Sequence, residues 1–174
     1  TSTPRMKELE RKWWLQIVTE TFQGIAEIRD FVGFFDSLYN LYSGAGAWAL
    51  EPGSSEVLEQ LQRRSVRAAV VSNFDSRLPV VLETLGIAQL ISEIVFSSGT
   101  GAAKPDSEIF NLALQRLSVG PADCWHVGDS PRDDYEGATK AGIEPLLYDP
   151  SGQHGDSEWR TISHLEEILT RGLG

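Results

Sequence analysis

Apolar residues recur at three- and four-residue steps along the first part of the chain, and this spacing predicts two amphipathic helices. The first covers residues 6–22, with Trp13, Trp14, Ile17, Val18 and Phe22 on one face and Lys7, Glu8, Glu10, Arg11 and Lys12 between them. Two adjacent tryptophans widen that face, which suits it to packing on other helices. The second covers about 25–42, marked by Ile28, Phe31, Val32, Phe34, Phe35, Leu38 and Leu41. No strand pattern falls between them.

The helical pattern breaks at Gly44-Ala45-Gly46, and Pro52-Gly53 forms a turn before Ser54 or Ser55 caps a helix to about Arg64. Short apolar runs then alternate with helical segments. Strands are expected at 67–72, 93–97, 124–127 and 144–148, with helices over about 78–85, 106–117 and 134–141 after the first three. Residues 153–156 read as a loop and 159–161 as an edge strand. Ser163 and Glu166 have the spacing of a capping box for a last helix. Strands separated by helices imply an α/β fold, a parallel sheet with helices on both faces and ligands at the carboxyl ends of the strands. The one division in this pattern is a helical part up to about Tyr42 and an α/β part after it.

Composition narrows the function classes. The 174 residues suit one domain with a real core, and 41% apolar content is neither disordered nor membrane-spanning. No apolar run is long enough to form a transmembrane segment. A net charge of -10 argues against nucleic acid as a partner, because phosphate backbones are bound by clustered Lys and Arg. The single cysteine, Cys124, excludes an internal disulfide and reads as a small core residue rather than a nucleophile. These features suit a soluble intracellular protein, in the cytosol or an organelle. The chain opens on Thr1, with nothing resembling a signal peptide before the first helix, and reads as a fragment, a processed form or the ordered part of something longer.

The candidate chemistry lies at strand ends. Ser72 and Asn73 close the first strand, Lys104 follows the second, and Asp129 closes the third, with Asp133 and Asp134 just beyond it. Two carboxylates about 4 Å apart repel by roughly 4 kcal/mol at an effective dielectric of 20. Outward splaying into solvent, a raised pKa, or a hard cation such as Mg²⁺ would relieve that repulsion. The plainer alternative is a polar turn whose Asp caps the next helix. Ser72 read alone is a helix cap, and Lys104 alone is a solvated loop lysine. Together they suit a phosphoryl group: the hydroxyl and free amides donate to phosphate oxygens, the lysine neutralises growing charge, and the acids hold Mg²⁺.

In order and spacing, Val71-Ser72-Asn73-Phe74-Asp75, then Lys104-Pro105-Asp106 with Ile109-Phe110, then Val127-Gly128-Asp129-Ser130 with Asp134 and Gly137-Ala138, resemble three signature motifs of the haloacid dehalogenase (HAD) superfamily. The helix around Trp13-Trp14 is similar to the cap of one branch of that superfamily. The resemblance implies a Rossmann-like core with a parallel sheet over 49–174 and a partial helical cap over 1–48. It also implies that Ser72, with Asn73, binds the substrate phosphate and that Lys104 is a catalytic residue pairing with both phosphate and nucleophile. Asp129 would be a Mg²⁺ ligand, directly or through water. Asp134 aligns best as the second acid, Asp133 standing where relatives often carry Asn, and both stay open as ligands.

The family's first motif, an Asp-x-Asp-Gly-Thr stretch ending the central strand and carrying the nucleophile, has no counterpart here. Asp36 lies within the second helix, and Asp75-Ser76-Arg77-Leu78 lacks the second acid and the Gly-Thr. The sheet is therefore expected to lack its first, central strand, leaving a slot with unpaired backbone groups and a chain that folds poorly alone. Two functions follow. One is a Mg²⁺-dependent phosphohydrolase acting on a small phosphorylated substrate, inactive without the Asp-x-Asp segment. The other is a non-catalytic scaffold or binding subunit, whose protein partner covers the missing strand or the aromatic first helix. Hydrolytic dehalogenation, found in the same superfamily, fits the acid cluster less well because it needs no Mg²⁺.

Overall fold

The computed structural model describes residues 3–25, 27–155 and 157–170, so Asp156 of the expected 153–156 loop lies outside the described residues. Helix α1 (Pro4–Phe22) starts where the Thr3 hydroxyl accepts from the Met6 amide at 3.2 Å, with Pro4 in the first turn. Helix α2 (Phe31–Leu41) begins later than the apolar spacing predicts, because Asp30 takes the cap position and accepts from the Gly33 amide at 3.0 Å. The two helices meet through an Arg11–Asp36 ion pair, with the Arg11 guanidinium 5.1 Å from the centroid of the buried Phe35 ring.

The α/β part follows as α3 (Ser54–Arg63), β1 (Ala69–Ser72), α4 (Leu78–Thr84), β2 (Glu93–Phe96), α5 (Ser97–Thr100), α6 (Ser107–Leu117) and β3 (Trp125–Gly128). A π-helical turn over Pro131–Glu136 runs into α7 (Gly137–Lys140), then come β4 (Glu144–Tyr148), β5 (Thr161–Ile162) and a 3₁₀ helix (Leu165–Thr170). Strand alternation builds two apolar layers. Val70, Ile94 and Phe96 pack on Leu78, Leu82 and Ile87, while Val71 and Val95 pack on Ile109, Phe110 and Ala113 of α6. Of these, the fully buried Val95, Ile109 and Phe110 side chains each contribute roughly 1.5–3 kcal/mol.

All strand pairs are parallel, and among the described residues they form two ladders, β1-β2 and β3-β4-β5. Among the described residues no pairing joins β1 to β3, and both strands are only half-buried along their whole length.

The C-terminal elements also differ from expectation. The edge strand is Thr161–Ile162 rather than 159–161. Glu167, not Glu166, closes the last turn, accepting from the Ser163 and His164 amides at 2.8 and 3.0 Å. Glu166 instead lies beneath Gly53, where a Cβ would fall 2.2 Å from its carboxylate oxygen.

Candidate active site

The carboxyl ends of β1 and β3 and the loop beyond β2 carry Ser72-Asn73, Asp129 and Lys104 respectively. Asn73 fixes the Lys104 backbone from both sides. Its Oδ1 accepts from the Lys104 amide at 2.7 Å, and its Nδ2 donates to the Lys104 carbonyl at 2.9 Å. The side chain expected to touch substrate thus spends its amide on the lysine loop. Ser72 is half-buried at the end of β1.

Lys104 Nζ reaches across to Asp134 Oδ1 at 2.5 Å. His126 on β3 places Nε2 2.9 Å from the same oxygen, and the Ser130 amide donates to Asp134 Oδ2 at 3.1 Å. Two glycines make this convergence possible. A Cβ on Gly128 would lie 2.1 Å from Asp134 Cγ, and a Cβ on Gly137 would lie 2.8 Å from the Phe110 ring and 3.2 Å from Pro105 Cα. Both glycines let the turn carrying Asp134 close on the Lys104 loop. The turn starts three residues ahead of the expected helix, because the Ser130 hydroxyl accepts from the Asp133 amide at 3.1 Å.

Asp134 is buried, and that desolvation pushes its carboxyl upward. Hydrogen bonds from His126 and Lys104, the Lys104 charge and the Ser130 amide outweigh it and hold the group at about 2. The charge of Asp134 is therefore compensated by a lysine, an arrangement that the sequence alone does not predict. Asp129 is exposed and Asp133 half-buried, and among the described residues no three His, Cys, Asp or Glu side chains converge as a metal cluster.

His126 escaped the sequence reading. Its signal was strand alternation, which sets it on the same face as Gly128, directly above Asp134. Glu10 also escaped, because it falls among the charged residues of α1. It is buried and accepts from the Ser76 amide at 3.2 Å and from the Ser76 and Ser98 hydroxyls. Asp75 is buried beside it, bound by Arg77 at 2.6 Å and by Trp14 Nε1 at 2.6 Å. Burial pushes the Asp75 carboxyl up, and the Arg77 and Trp14 contacts bring it below its ordinary value. These contacts fasten α1 to the loops after β1 and β2.

A family model described as haloacid dehalogenase-like hydrolase matches residues 4–142. The chain is 37% identical over 139 residues to haloacid dehalogenase-like hydrolase domain-containing protein 3 of Mus musculus, covering 79% of this chain and 55% of the relative. It is 30% identical over 150 residues to ribulose-1,5-bisphosphate 5-phosphatase of Halopiger xanaduensis, covering 86% and 62%. Among solved structures, the HAD phosphatase from Thermococcus onnurineus superposes with a TM-score of 0.70 at 20% identity, covering 94% of this chain and 90% of that one. That last likeness is one of fold. The chain spans about half the length of the mouse relative. No described helix is long and apolar enough to cross a membrane. A model match over most of the chain, joined to relatives of this similarity, places the protein in the haloacid dehalogenase-like hydrolase family.

Proposed function

We propose that the complete protein is a Mg²⁺-dependent phosphohydrolase acting on a small phosphorylated substrate. The observation that carries this reading is the Lys104 ammonium, held against an ionised Asp134 at the carboxyl ends of the strands, with its backbone locked by Asn73. A relative named as a phosphatase supports the same chemistry.

Lys104 neutralises charge on the transferring phosphoryl oxygens, and Asp134 aims it. Ser72 and the amides after β1 donate to the phosphate. Asp129 and Asp134 are hard oxygen donors, and Asp134 needs no proton removed near neutral pH. That set fits Mg²⁺, which binds through one or two carboxylates and keeps several waters. Asp133 is the remaining acid of the turn and the alternative ligand. The ion would neutralise charge as the phosphoryl group transfers.

In this reading residues 1–48 are part of a helical cap and 49–174 the core. A further strand, ending in the nucleophilic Asp-x-Asp, completes the sheet between β1 and β3. The flanks of those two strands, half-buried and unpaired among the described residues, support that placement. The same flanks favour a second reading, a non-catalytic subunit whose strand comes from a partner protein. Hydrolysis of p-nitrophenyl phosphate by the complete protein separates them. Turnover with Mg²⁺ that stops on chelation supports the enzyme, and none under either condition supports the subunit.

A further inference from the structure

A cavity of about 1140 Å³ lies between the N-terminal helices and the loops after β1 and β2. Its wall is mainly apolar and rich in aromatic side chains, including Trp13 and Trp14 of α1, Phe35 and Tyr39 of α2, Trp48, and Phe74 just beyond β1. The Trp48 and Phe74 rings stand 5.4 Å apart, and those of Trp13 and Trp14 4.9 Å apart. Asn73 and Ala103 also line it, and these flank Lys104 through the Asn73 amide and the chain itself. The cavity therefore opens from the lysine loop.

The charged groups in this wall already have partners within the protein. Glu10 is taken by Ser76 and Ser98. Asp75 is taken by Arg77 and Trp14, and the Arg77 guanidinium carbon lies over aromatic rings, 4.4 Å from the Tyr39 centroid and 5.3 Å from Trp14. Both the oxygen and the nitrogen of the Asn73 side-chain amide are used on Lys104. A ligand rich in hydroxyls would bury donors and acceptors here with few partners, at a cost of about 1–3 kcal/mol for each unpaired group. A flat apolar group would instead displace water from ring faces and gain stacking contacts.

We propose that the substrate's leaving group is an aromatic alcohol, seated in this cavity against Trp48, Trp13 and Phe74 while its phosphate faces Lys104. The proposal rests on the phosphohydrolase reading above and specifies its substrate class as aryl or arylalkyl phosphomonoesters rather than sugar phosphates.

Calorimetric binding of three non-hydrolysable phosphonates to the complete protein with Mg²⁺ tests it. These are 1-naphthylmethylphosphonate, methylphosphonate and 3,4-dihydroxybutylphosphonate, a polyol analogue. The naphthyl ligand is expected to bind about tenfold or more tighter than either other. Trp48→Ala and Trp13→Ala should each shrink that ratio at least about threefold. Both side chains are partly exposed, at 37% and 56%, so the variants should fold, and circular dichroism checks that they do. Equal affinities in the native protein would overturn the proposal, as they would if another segment of the complete chain filled the cavity. A naphthyl preference untouched by both tryptophan variants would overturn its location. Lys104→Ala reports on the underlying reading separately. It should weaken all three ligands by a similar factor, and unchanged methylphosphonate binding would fault the phosphate site while leaving the naphthyl comparison to judge the cavity.

Discussion

Lys104 and Asp134 stand thirty positions apart in the chain and 2.5 Å apart in space, Nζ against Oδ1, with both side chains largely buried. Removing either partner would leave the other charge uncompensated. Asp134 also binds protons less readily folded than unfolded, since its carboxyl sits at about 2 against an ordinary 3.8. A depressed carboxylate contributes stability above its unfolded value and loses it as pH falls through its folded one.

Stability should therefore decline between about pH 4 and pH 2 by roughly 2 kcal/mol from this group alone. Urea midpoints measured across that window should show the decline in the native protein and a shallower one in Asp134→Asn. The variant should also be less stable at pH 7, by about 3 kcal/mol, because Lys104 loses its counter-charge.

Gly128 tests the packing that brings this pair together. A Cβ there meets Asp134 Cγ at 2.1 Å, so Gly128→Ala must displace the turn, at about 1–3 kcal/mol. Gly44 has nothing within 4 Å of an added Cβ, and Gly44→Ala should stay within about 0.5 kcal/mol of the native value. Denaturant unfolding of the two variants makes the comparison, and equal effects would refute the steric argument.

Glu10 is the polar anchor of α1. Glu10→Ala leaves the Ser76 amide, the buried Ser76 hydroxyl and the half-buried Ser98 hydroxyl without this acceptor, an expected loss of about 1–3 kcal/mol. Hydrogen exchange should show the Ser76 amide losing protection, while amides of β2 paired to β1 keep theirs. Unchanged exchange at Ser76 would mean that this contact does not hold the helix down.

The alternation of apolar runs made β1 to β4 and their order readable, because each strand packs both faces and each intervening helix one. The strand ends also put Ser72-Asn73, Lys104 and Asp129 on one edge, with Asp133 and Asp134 just beyond. Its limits are physical. Glu10 looked solvated because helical periodicity reports the main apolar face of α1 and says nothing of a single carboxylate meeting donors from loops more than sixty residues away. His126 was hidden in an apolar strand, where its role depends on Asp134 folding back beneath Gly128. The lysine paired with Asp134 comes from another loop, so local charge counting could only offer solvent, a proton or a metal. The start of α2 was misplaced because the Asp30 cap overrides the apolar run before it.

The central claim is that Lys104 and the acids beyond β3 act on a phosphoryl group. Initial rates of p-nitrophenyl phosphate hydrolysis by the complete protein, compared with Lys104→Ala and Asp129→Asn at saturating Mg²⁺, test it most directly. Losing one such charge-stabilising group should lower kcat by about 10²–10³ in each variant, with circular dichroism unchanged for exposed Asp129→Asn. Hydrolysis at the native rate in both variants would contradict the account.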